Sequence, residues 1–101
     1  MQRIAWKAYV KNIQEYKKRH DEIWPEMTEM LNRAGVHNYT IWNCGNELFG
    51  YMECSIDPQE SMRIQRESPV QARWSKHMEG LLFFAEGEDA PAMLQNVFLH
   101  P

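Results

Sequence analysis

A chain of 101 residues that is 44% apolar and 25% charged has the size and composition of one globular domain, 1–101, and lies far from the composition of a disordered chain. Its net charge of −3 supplies no basic field for a phosphate backbone, which excludes nucleic acid as a partner. No apolar run approaches the ~18 residues of a membrane span, and Met1-Gln2-Arg3 does not open a signal peptide, so a cytoplasmic protein without membrane contact is expected.

Arg3 to Val10 alternates, with Ile4, Trp6, Ala8 and Val10 on one side and Arg3, Ala5, Lys7 and Tyr9 on the other, the period of a first strand. Asn12 with Glu15 forms a capping box, and Ile13, Tyr16, Lys17 and His20 follow at helical spacing. Pro25 breaks that helix near Ile23-Trp24, because proline lacks an N–H and pushes the preceding residue out of α geometry. Met27, Met30, Leu31 and Ala34 then carry a second helical half to Gly35, a residue suited to the left-handed position beyond a helix end.

Two runs rich in aromatic and β-branched residues, His37–Asn43 and Glu47–Ser55, flank Cys44-Gly45-Asn46 and read as a hairpin. Asp57-Pro58-Gln59-Glu60 is a helix start, with Met62 and Ile64 beyond it; Ser68-Pro69-Val70-Gln71 is another, leading into Val70, Trp74, His77, Met78 and Leu81. Glu86–Pro91 is an acidic turn-rich loop, and the apolar Leu94–Leu99 is expected to form the fourth strand.

The order βαββαβ, with each helical segment split by a proline, is the ferredoxin-like α+β arrangement of one antiparallel sheet under helices. The uncovered face is expected to expose several of Trp6, Trp42, Phe49, Tyr51 and Phe98, more apolar surface than a monomer tolerates, so a homodimer is predicted. Cys44 and Cys54 fit no metal-site spacing, and on opposite ends of the hairpin they stand roughly 20 Å apart. Both are expected to be buried, inert thiols, and no metal or cofactor is implied.

Chemistry then falls to the histidines. A histidine near its ordinary pKa of about 6.5 can both give and take a proton at neutral pH. His20 lies four residues after Tyr16, on one helical face, with Trp24 where the proline bends the chain. Spacing alone favours an ordinary, partly exposed core-edge histidine. His37, His77 and His100 read as surface or edge residues, the Lys17-Lys18-Arg19 cluster as a solvated helix face, and Trp74 as a core residue.

The run Tyr16-Lys17-Lys18-Arg19-His20-Asp21-Glu22-Ile23-Trp24-Pro25-Glu26 resembles the first helix of the L-rhamnose mutarotase family. The resemblance continues through His37-Asn38-Tyr39, Ala72-Arg73-Trp74 and Val97-Phe98-Leu99-His100-Pro101, so it covers essentially the whole chain. It implies a single mutarotase domain of the dimeric α+β barrel type, an isomerase that interconverts the α and β anomers of a 6-deoxyhexose monosaccharide, L-rhamnose first. By the same resemblance His20 is the proton donor, and Tyr16, Tyr39 and Trp74 contact the sugar. The second member of the family's tryptophan pair is absent, since Ser75 follows Trp74, which leaves L-fucose or another pyranose open. A non-catalytic or haem-binding ferredoxin-like dimer is the alternative on fold alone.

The expected reaction opens the hemiacetal, lets the aldehyde rotate and recloses it. His20 donates to the ring oxygen, Tyr16 or a water handles the anomeric hydroxyl, and the roles reverse on closure. Tyr39 and Ser75 orient ring hydroxyls, and Trp74 and Trp24 pack on the apolar C–H face.

Overall fold

In the computed structural model, which describes Met1–Pro101, the alternating first segment forms β1 (Gln2–Val10) in the middle of an antiparallel sheet. Ile4, Trp6, Ala8 and Val10 are buried beneath the helices, and Lys7 and Tyr9 turn to the open face. Asn12 adopts φ 56° and caps α1 (Ile13–Asp21), its side-chain oxygen accepting from the Glu15 N–H at 3.2 Å. Asparagine is among the few residues that tolerate that left-handed backbone. The Glu15 carboxylate does not complete the capping box; it pairs with Arg19 one turn on, at 3.0 Å.

Pro25 opens α2 (Pro25–Arg33), and Trp24 before it is held extended at φ −69°, ψ 142°, as the proline ring requires. Gly35, at φ 72°, turns the chain into β2 (Val36–Cys44), which returns through Gly45-Asn46 as β3 (Glu47–Cys54). The hairpin register shifts once: His37 faces Glu53, but Thr40 faces Tyr51. The extra residue is accommodated at Asn38, where φ is 49°. This bulge reverses the in–out parity of β2, so Tyr39 and Ile41 pack against the helix-side core together with Val36.

Two further helices, α3 (Pro58–Glu67) and α4 (Pro69–His77), start where expected. Asp57 accepts from the Glu60 N–H at 3.2 Å and Ser68 from the Gln71 N–H at 3.3 Å. On α3 the most deeply buried positions are Ser61 and Gln65, not Met62 and Ile64, which are only partly buried. The two polar side chains are tolerated there because Gln65 donates to the Ser61 hydroxyl at 3.3 Å.

The last edge differs from expectation. Two short strands, β4 (Leu82–Phe83) and β5 (Ala92–Leu94), pair with β1 at Tyr9–Val10 and at Ala5–Lys7 respectively. The loop between them carries the acidic segment. Leu94 is the end of β5, and no strand spans Leu94–Leu99; Val97, Phe98 and Leu99 are 89%, 78% and 53% exposed. Sequence alone overlooks Leu81–Phe84 because those apolar residues sit directly behind an apolar helix. Gly80, at φ 86°, lies in the turn after α4 and lets the chain re-enter the sheet at β4.

The sheet order β2-β3-β1-β4, with β5 also on β1, is that of the ferredoxin-like α+β fold. The core between sheet and helices contains Ile4, Trp6, Leu48, Met30, Tyr16 and Trp74. Trp6 thus belongs to the helix side at 7% exposure and is not part of the open face, where its even-numbered parity would not allow it. Trp42, at 68% exposed, does lie there, beside half-buried Phe49 and Tyr51. Cys54 is buried, whereas Cys44 is exposed beside the hairpin turn, contrary to expectation, because it pairs with Glu47 on the open face of the sheet. No helix is long and apolar enough to cross a membrane.

Candidate active site

The aromatic residues singled out along the chain converge where α1, the α1–α2 corner and α4 meet. Tyr16 and His20, one turn apart on α1, stack with ring centroids at 4.3 Å. His20 meets the edge of Trp74 from α4 at 5.2 Å, and Trp24, projected by the proline corner, meets the same indole at 5.2 Å, both near perpendicular. Trp24 therefore supplies the second indole beside Trp74 that the residue after Trp74 does not.

His20 is oriented by its own helix. Its Nδ1 lies 3.0 Å from the Tyr16 carbonyl oxygen, and since a carbonyl can only accept, Nδ1 carries the proton. In the neutral ring Nε2 is then left as an acceptor. Burial holds the imidazole below its ordinary pKa, only partly offset by the Tyr16 carbonyl and by Asp21. At neutral pH His20 is thus a neutral base with its lone pair on Nε2.

Tyr16 is buried at 4% exposure, and burial first, then the neighbouring Tyr39, raise its phenol above the ordinary range. The Tyr39 phenol is pushed up to about 12 by burial, against a hydrogen bond from Trp6 that favours ionisation. Both phenols stay protonated at neutral pH. The cluster therefore combines one proton acceptor with two hydroxyl groups and an indole pair, a set of groups suited to a neutral polyhydroxylated molecule with an apolar face.

Arg19 joins the parts. Its Nε pairs with Glu15 at 3.0 Å, and its Nη1 donates to the main-chain oxygen of His77 at the end of α4. A cation at a helix C-terminus satisfies an open carbonyl and complements the helix dipole. This bond, invisible in the sequence, fixes α1 against α4 and so His20 against Trp74. The basic cluster is accordingly not a uniform solvated face: Lys17 pairs with Asp21 at 2.6 Å, Lys18 is exposed, and Arg19 is structural.

His77, expected at the surface without partners, packs on Trp24 at 5.2 Å and on Trp74 at 5.5 Å. Its ring is exposed, but it forms the outer wall of the indole pair. Its spacing three residues after Trp74 was the available signal. Ser75 is not brought into the cluster; it is exposed and its Oγ accepts from Gln71 at 3.3 Å. His37 and His100 lie elsewhere, His37 with Nε2 3.2 Å from the Ser55 hydroxyl. No three His, Cys, Asp or Glu side chains are placed to hold a metal ion.

The chain is similar in sequence and fold to known proteins. A sequence model of the family described as L-rhamnose mutarotase matches residues 3–100. The L-rhamnose mutarotase of Oceanobacillus iheyensis is 38% identical over 83% of this chain and 80% of its own length. That of Shigella flexneri is 35% identical over 94% of this chain and 97% of its own. Among solved structures, an L-rhamnose mutarotase from Formosa agariphila superposes over the whole of both chains with a TM-score of 0.83 at 25% identity. Tetracenomycin F2 cyclase from Streptomyces glaucescens, with a TM-score of 0.73 at 14% identity, shares the fold. With nearly its whole length matched by the family's sequence pattern, the chain belongs to the L-rhamnose mutarotase family.

Proposed function

We propose that this protein is a carbohydrate isomerase that interconverts the α and β anomers of L-rhamnose. Family membership supports the reaction class, and the observation that carries the chemistry is the His20 imidazole, pinned through Nδ1 to the Tyr16 carbonyl with Nε2 free. On ring opening, Nε2 accepts the proton of the anomeric hydroxyl. The ring oxygen receives a proton from Tyr16 or from a bound water as its bond to the anomeric carbon breaks. After the aldehyde turns, closure runs the same steps backward and the His20 imidazolium returns its proton to the former carbonyl oxygen. His20 is therefore acceptor in one half of the cycle and donor in the other. Because burial lowers its pKa, the ring is neutral at pH 7 and enters the cycle as the acceptor, the reverse of the order expected from sequence. No cofactor takes part.

The Tyr39 hydroxyl orients the sugar, and Trp74 with Trp24 packs on its C–H face and methyl group. Ser75, as a small exposed residue, contributes least. An active homodimer is supported by the open sheet face, with Trp42, Phe49 and Tyr51, and by the exposed apolar Val97–Leu99. Two unpaired thiols, one of them exposed, fit a reducing cytoplasm. Saturation-transfer NMR on L-rhamnose, L-fucose and common hexoses tests the activity and its preference. Absence of enhanced anomer exchange with any of them overturns the reading; faster exchange of L-fucose than of L-rhamnose reassigns the substrate. Sedimentation analysis tests the dimer, a monomer at micromolar concentration being the contrary result.

A further inference from the structure

Trp6 is paired across the sheet with Gly50, and a Cβ at Gly50 would stand 2.0 Å from the indole Cε2 and 2.2 Å from Nε1. The ring therefore lies over the β3 backbone in space that only glycine leaves open. β3 separates β1 from β2, two strand spacings or about 9.5 Å, and the indole bridges much of that distance. On the far side its Nε1–H donates to the Tyr39 hydroxyl at 3.2 Å. The β2 bulge at Asn38 is what carries Tyr39 to the same side of the sheet.

An indole N–H can only donate, whereas a phenol oxygen both donates and accepts. With Nε1–H filling an acceptor position, the Tyr39 proton must point away from Trp6. A phenol free to rotate offers a ligand either a donor or an acceptor; this one offers a donor. We propose that Trp6 is a positioning residue that fixes Tyr39 as a hydrogen-bond donor to one ring hydroxyl of the sugar, with Gly50 providing the space for its indole. The inference rests on the sugar-orienting role given to Tyr39 above. It adds a chain of three residues on three strands, Gly50, Trp6 and Tyr39, that selects pyranoses presenting an acceptor lone pair at that point.

The test is a double-mutant cycle with Trp6→Phe and Tyr39→Phe, read as KM and kcat for L-rhamnose anomer exchange. Loss of one neutral hydrogen bond raises KM about three- to tenfold, so each single variant is expected to show that rise with kcat changed by less than about threefold. In the Tyr39→Phe background Trp6→Phe is expected to add nothing further. An equal KM rise in both backgrounds overturns the proposal, because a merely structural role for the indole does not depend on the Tyr39 hydroxyl. Indole N–H signals from 15N-labelled protein test the bond without any change at Trp6: the Trp6 signal is expected to shift in Tyr39→Phe, and an unmoved signal also overturns it. A wild-type protein without anomer exchange defeats the activity reading instead, a result the indole spectra cannot produce.

Discussion

His20 Nδ1 is held 3.0 Å from the main-chain oxygen of Tyr16, one turn earlier on the same helix. The helix thereby uses a backbone acceptor one turn before its histidine to choose the tautomer of the ring, and the free Nε2 is the atom that the proposed mechanism uses. Replacing His20 by Gln keeps a polar side chain of similar reach but removes the titratable nitrogen. The exchange rate of L-rhamnose anomers is expected to fall by about two to four orders of magnitude, measured by saturation-transfer NMR, with the circular dichroism spectrum unchanged.

The buried environment of His20 makes a second prediction, in which the sign follows from the direction of the shift. Its folded pKa lies below the ordinary 6.5, so the neutral base persists through pH 7 and is lost only on further acidification. Activity is expected to be flat across neutral pH and to decline below the usual histidine range. In the window between the lowered folded value and 6.5 the unfolded chain binds more protons than the folded one, so stability also falls as pH falls. Comparing the acid dependence of Tm in the wild type and in His20→Gln checks this: the variant should lose part of the wild-type slope.

Gly50 is expected to be intolerant of any side chain. Gly50→Ala places a methyl carbon inside the Trp6 ring, and overpacking of this kind costs about 1–3 kcal/mol or more. Urea unfolding should show that loss, and Trp6→Ala introduced alongside should cost less in the Gly50→Ala background than in the wild type, since the overlap is gone.

Arg19 and Lys18 are adjacent, but only Arg19 spans two helices. Arg19→Ala leaves the His77 carbonyl without its cation and is expected to cost about 1 kcal/mol and to raise KM by loosening Trp74 against His20. Lys18→Ala should stay within about 0.5 kcal/mol of wild type. Thermal unfolding of the pair distinguishes a helix staple from a general effect of positive charge.

Ser75 separates two views of substrate choice. Its hydroxyl is occupied by Gln71 and its side chain is exposed, so Ser75→Ala is expected to change kcat/KM for L-rhamnose by less than about threefold, against about tenfold for a buried hydrogen bond to the sugar. His77→Ala, which removes the outer wall of the Trp24–Trp74 pair, should have the larger effect.

Local rules sufficed for the helix starts at Asp57 and Ser68, the break before Pro25, the turn at Gly45 and the alternation of β1, because each depends on a backbone preference of a few neighbouring residues. The Tyr16–His20 face was legible for the same reason, helical spacing being short-range. Tertiary structure decided the rest. The parity of β2 rests on a bulge at Asn38, which only the register against β3 reveals, and with it the meeting of Tyr39 and Trp6. The last edge strand depended on competition: Leu81–Phe84 and Leu94–Leu99 are both apolar, and only the places left open along β1 determine which pieces pair. The placement of Arg19 and His77 is likewise set by how α1 packs on α4, a relation between residues 58 positions apart that no local pattern encodes.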